Sequence, residues 1–149
     1  MDLEQALGAL PAMGSQGFDL LDDEQLAACY ERVRHHMDEG AYDEAVEDAF
    51  QLVHSNPWER AYLLALACCL HHLAQYESAG RFYGLALLLD ATDAHCAYRI
   101  GECLSALEHP AEAREAYESA VKLSWLDPVY AEVRGEAELR LGEMSASGA

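Results

Sequence analysis

Positive charge is scarce in this sequence. Nine Lys and Arg stand against 27 Asp and Glu, a net charge of −18. Nucleic-acid phosphates need cationic partners, so this balance excludes a nucleic-acid binder. It equally excludes direct binding to an anionic membrane surface. No run of about 18 or more apolar residues is present, so no bilayer-spanning helix is expected. The five cysteines are odd in number and lack CxxC spacing, and Cys68 and Cys69 are adjacent. That excludes a disulfide framework and points to a reduced, cytoplasmic compartment. The opening MDLEQALGALPAMG has no Lys or Arg ahead of its apolar residues, which makes it a poor secretory signal. A nucleophile turn and a phosphate-cradling glycine loop are both missing. No catalytic residue and no cofactor are therefore nominated.

What is present is apolar content and a period. At 149 residues and 52% apolar composition, the chain is long enough for one domain that buries about 68–70% of its unfolded surface. Ala45, Ala79 and Ala113 lie 34 residues apart. Tyr42 and Tyr76 precede their alanines by three residues, Tyr83 and Tyr117 follow theirs by four, and Ala86 and Ala120 by seven. A 34-residue period with small residues where helices must approach predicts an all-α solenoid of three helix–turn–helix repeats. Each unit leaves its hydrophobic face incomplete, so neighbours stack and a concave groove results.

Residues 1–21 stand outside the period. Leu3, Leu7 and Leu10 share a helical face before Pro11, Gly14 and Gly17 interrupt it, so this segment reads either as a short amphipathic helical arm or as a disordered tail. The repeat domain covers 22–149. Asp22 with Gln25 makes a capping-box pattern, and Leu21 is placed to staple onto Leu26. Helices are expected over about 23–39, ended by Gly40, then 43–54, 58–74, 77–89, 93–107 and 110–123, the last opened by Pro110. A closing helix starts at Asp127 and Pro128, with Tyr130, Val133, Ala137 and Leu141 on one side to cover the open end of the third unit. The units fall at about 26–59, 60–93 and 94–127, with the capping helix over about 128–143.

The motifs GAYDEA (40–45), AQYESA (74–79) and EHPAEA (108–113), with Ala67 and Gly101 at the small position of helix A and Pro57 closing the first unit, resemble the tetratricopeptide repeat. A narrower likeness covers most of the chain. The stretch FYGLALLLDATDAHCAYRIGECLSALEHPAEA (82–113), with its Leu-Asp turn and its Gly101-Glu102-Cys103-Leu104 run, resembles the class II chaperones of bacterial type III secretion. Arg34 and Met37 depart from that pattern, since they sit where the family commonly carries aromatics.

The tetratricopeptide likeness implies an inner surface lined by the second, fifth, ninth and twelfth positions of helix A. These are Ala27, Tyr30, Arg34 and Met37; Ala61, Leu64, Cys68 and His71; and His95, Tyr98, Glu102 and Ser105. The packing row is separate: Leu63, Leu66, Ala67 and Leu70, then Ala97, Ile100, Gly101 and Leu104. The partner-binding candidates are Tyr30, Arg34, Met37, Ala61, Leu64, Cys68, His71, His95, Tyr98 and Glu102; the alternative is a solvated inner face. Cys68, His71 and His72 are of zinc-ligand type, but one helix does not complete a site. Small packing cysteines are the plainer reading, so no metal is nominated. The resemblance implies a bacterial cytoplasmic chaperone that binds secreted translocator proteins through an extended segment. It also implies a possible homodimer through the arm bearing Leu3, Leu7 and Leu10. A general tetratricopeptide adaptor unrelated to secretion is the alternative.

Overall fold

The computed structural model describes residues 20–147. The arm residues Leu3, Leu7 and Leu10 lie outside the described residues. Seven α-helices and no strand occur among the described residues: α1 (Asp23–Asp38), α2 (Tyr42–Ser55), α3 (Arg60–His72), α4 (Tyr76–Leu89), α5 (Ala94–Ala106), α6 (Pro110–Ser124) and α7 (Ala131–Ala146), with a 3-10 turn at Pro128–Tyr130 before α7. This is the all-α tetratricopeptide architecture that the period demands.

Helix starts follow local chemistry. At α1 the Gln25 N–H donates to Asp22 Oδ1 at 2.8 Å and the Asp22 N–H donates to Gln25 Oε1 at 3.0 Å, a reciprocal capping box. Asp93 caps α5, accepting from the backbone N–H groups of His95 and Cys96. Asp127 caps the chain after α6, accepting from Val129 N–H at 2.9 Å. That cap opens a 3-10 turn rather than the α-helix itself, so the closing helix begins at Ala131, three residues later than the sequence suggests.

Within each repeat the two helices are joined by the same left-handed turn. Gly40, Ala74 and Glu108 have φ of 74°, 60° and 62° and are spaced by 34 residues. After each, the next N–H reaches back five residues: Ala41 to His36 O, Gln75 to Leu70 O and His109 to Leu104 O, at 2.8, 2.8 and 2.9 Å. This is the Schellman arrangement, which satisfies carbonyls orphaned at the helix end. Only Gly40 enters it without a steric cost, because Ala74 and Glu108 carry a Cβ.

The chain forms two compact units, Met1–Leu85 and Ala86–Ala149. The boundary falls inside α4. In the first unit α2 packs against both α1 and α3. Its core includes Leu26, Cys29 and Val33 of α1, Ala45, Ala49, Phe50, Leu52 and Val53 of α2, and Leu63, Leu66, Ala67 and Leu70 of α3. In the second unit α6 packs on α5, and α7 packs chiefly on α6. Ala94, Ala97, Tyr98, Ala113, Tyr117, Ala120, Val133 and Ala137 form its buried cluster, flanked by Leu104, Tyr130, Leu141 and Met144 among others. A Cβ built on Gly101 would sit 2.6 Å from Tyr117 Cε1, so helix A and helix B meet where no side chain fits.

The turns and the Gly101 contact make stability testable. Ala74→Gly and Glu108→Gly each relieve a left-handed Cβ clash and raise stability by about 0.5–1 kcal/mol, or roughly 2–4 °C in Tm per kcal/mol; an unchanged or lowered Tm in thermal denaturation contradicts the strain. Gly101→Ala gains about 1 kcal/mol of helix propensity, but overpacking the buried Tyr117 ring costs about 1–3 kcal/mol. A net loss of stability is expected in urea titration, and a stabilised variant contradicts the contact.

Candidate functional site

Two helices of the first unit enclose a cavity of about 390 Å³. From α1 come Tyr30, Arg34, Met37 and Asp38, and from α3 come Ala61, Leu64, Ala65 and Cys68. The spacing explains the convergence: residues three, four and seven apart lie on one helix face. Six of the ten nominated residues meet here. Asp38 and Ala65 were not nominated, although each lies four residues beyond a nominated one and so shares its face.

The walls are braced. The Tyr30 ring lies 5.4 Å from that of Tyr62, tilted by 56°. The Arg34 guanidinium carbon lies 5.9 Å from the Tyr30 ring centroid, within reach of the ring's negative face. Tyr30, Leu64 and Met37 are half-buried, so they offer apolar area to a ligand and lose none of their anchoring.

The other four nominated residues lie elsewhere. His71 Nδ1 is 3.2 Å from the Tyr83 hydroxyl, and the His71 ring meets Tyr76 and Tyr83 edge-on, so it is tied to α4 and does not line the cavity. His95, in the second unit, packs its ring against Tyr130 at 5.3 Å. Tyr98 is 3% exposed and belongs to the core of the second unit, a correction to its reading as a surface residue. Its ring contacts Tyr117, and Arg140 of α7 donates to its hydroxyl oxygen at 3.4 Å. The closing helix covers this position, and nothing in the local pattern of α5 announces that. Glu102 lines a second, more polar cavity of about 290 Å³ with Ser105, Ala106, Tyr117, Arg140, Glu143 and Met144. Burial, aided by Glu102, pushes the Tyr117 hydroxyl up to about 12, so it stays protonated.

The cysteines and histidines are arranged for packing. Burial raises the thiols of Cys29 to about 11 and of Cys69 and Cys103 to about 12. Asp48 adds to the shift at Cys29, Cys68 at Cys69, and Glu102 at Cys103. A nucleophile needs the thiolate, which these sites disfavour. His72 stacks flat on Tyr42 at 3.9 Å. Among the described residues no three His, Cys, Asp or Glu side chains are grouped to hold a metal ion, and no helix is long and apolar enough to cross a membrane.

A tetratricopeptide-repeat family model matches residues 94–124, within the second unit. Solved structures extend the likeness over nearly the whole chain. PcrH, a protein of Pseudomonas aeruginosa, bound to the chaperone binding region of PopD matches with a TM-score of 0.80 at 22% identity, over 87% of this chain and 97% of that one. Yersinia enterocolitica SycD, a type III secretion chaperone bound to a peptide of the translocator YopD, matches with a TM-score of 0.80 at 20% identity, over 86% and 98%. A type III secretion complex from Aeromonas hydrophila matches with a TM-score of 0.79 at 22% identity, over 93% and 98%. No curated protein matches the chain in sequence. The chain has the tetratricopeptide fold of the type III secretion translocator chaperones.

Exposure separates the cysteines, because Cys68 alone is half-buried and the other four are buried. Iodoacetamide at pH 8 is expected to alkylate Cys68 in the native protein at least about tenfold faster than Cys29, Cys69, Cys96 and Cys103, followed site by site by peptide mass spectrometry. Rapid native labelling of Cys69 or Cys103 would contradict their burial.

Proposed function

We propose that this protein is a cytoplasmic chaperone of bacterial type III secretion. It holds an extended segment of a hydrophobic translocator protein and keeps that client from aggregating or assembling before export. The observation that carries this reading is the cavity between α1 and α3, where half-buried Tyr30, Met37 and Leu64 converge beside small Ala61 and Ala65. The solved structures of the same fold with translocator peptides support it. The action is binding, without catalysis.

The physics is that of an apolar anchor. An apolar cavity of about 150 Å³ accommodates benzene, so about 390 Å³ has room for two aliphatic side chains. An extended strand presents alternate side chains to one face, about 6.6–6.8 Å apart. Fully burying a Leu or Val side chain contributes about 1.5–3 kcal/mol. Ordering the client opposes this, so the net affinity is moderate and release remains possible. Tyr30 supplies a large area with few rotors. The net charge of −18 keeps the loaded complex in solution by self-repulsion. The arm bearing Leu3, Leu7 and Leu10 is proposed as the homodimer element; it rests on the resemblance alone.

The test is co-expression with the hydrophobic translocators of the host bacterium, followed by titration of the captured segment. Tyr30→Ala is expected to weaken binding by roughly 30-fold, about 2 kcal/mol, and Leu64→Asp to abolish it, with helicity retained in both. Affinities within twofold of the unaltered chain would remove the cavity from the binding site.

A further inference from the structure

We infer that Arg34 makes the α1–α3 cavity selective for apolar client segments that carry a single carboxylate beside the anchoring side chain. The inference rests on the peptide-binding reading above and adds a charge requirement to it.

Cations are scarce here, nine against 27 acids, and most described arginines are committed within the protein. Arg32 pairs with Asp48, Arg81 with Glu77, Arg99 with Glu102 and Arg140 with Glu143. Arg134 lies over the Trp125 ring at 3.5 Å. Arg34 differs: it forms no ion pair with a described residue, although Asp38 stands one helical turn away on the same cavity wall. An arginine preceding an acid by four residues is the less favourable orientation of such a pair. The guanidinium is instead held over Tyr30, itself braced by Tyr62.

A cation with no acidic partner among the described residues, set 5.9 Å from an aromatic ring at the cavity wall, is available to an incoming anion. The planar fork of Arg engages a carboxylate through two parallel N–H···O bonds. At an open surface such a pair contributes little. Beside a cavity that a client side chain has filled, water is displaced and the same pair strengthens. Asp38 sets polarity, placing the client's acid at the Arg34 end of the wall and away from itself. The net charge limits the number: a polyacidic segment is repelled by the chain as a whole, so one carboxylate among apolar neighbours is the chemistry that fits.

The experiment is a selection of random dodecapeptides by phage display on the immobilised full chain and on Arg34→Gln and Arg34→Glu. All three are first checked for unchanged helicity and Tm, as exposure of Arg34 leads one to expect. The unaltered chain should enrich apolar peptides with one flanking Asp or Glu. Arg34→Gln should enrich apolar peptides without that bias, and Arg34→Glu should exchange it for Lys or Arg. Replacing the acid of a winning peptide by its amide should weaken binding about tenfold on the unaltered chain and leave binding to Arg34→Gln unchanged. Apolar enrichment without an acidic bias on the unaltered chain, or an acidic bias that survives Arg34→Glu, overturns the charge requirement and leaves peptide binding intact. Enrichment of no apolar peptide by any of the three overturns both.

Discussion

Everything in this structure depends on two helices of one repeat lying closer than ordinary side chains permit. Ala45, Ala79 and Ala113 are fully buried, as is Ala120, and at Gly101 even a methyl group would collide with Tyr117. Close approach places the small residues on one face of each helix. The apolar residues of the packing row then fill what remains of that interface. The left-handed turns at Gly40, Ala74 and Glu108 serve the same end: they reverse the chain within two residues while satisfying the carbonyls of the preceding helix. A second face of helix A is thereby left over, and in the first unit two such faces form a cavity.

That division of labour explains which parts of the site were readable from residues alone. The 34-residue spacing of alanines and tyrosines fixes helix pairs, because only a repeating contact demands a small residue at a fixed interval. Leu63, Leu66, Ala67 and Leu70 are buried as the period requires. Tyr30, Arg34 and Met37 share one face of α1, and Ala61, Leu64 and Cys68 one face of α3, because helical spacing is local geometry; the repeat register sets the two faces against each other. What was not readable depends on contacts distant in sequence. Tyr98 has the same repeat position as Leu64, yet Arg140, 42 residues later, reaches over it. No pattern within α5 encodes the placement of α7. The turns at Ala74 and Glu108 were equally hidden, since neither residue type advertises a positive φ; only their register with Gly40 does.

Fold and function rest on different observations. The likeness to PcrH and SycD at 20–22% identity establishes architecture, and architecture alone hosts many activities. The chemistry of the cavity narrows the choice. Its apolar floor suits an aliphatic side chain, and outside it burial holds the thiols of Cys29, Cys69 and Cys103 in the protonated form. The net charge of −18 does separate work: like charge on neighbouring molecules opposes their association.

The central claim is that a client segment occupies the cavity between α1 and α3. Amide hydrogen exchange, compared between the protein alone and the protein bound to its co-expressed translocator, tests it directly. Slowed exchange concentrated over residues 30–38 and 61–68 is the result expected. Protection confined to other helices, with these two stretches exchanging as in the unbound protein, would contradict the claim.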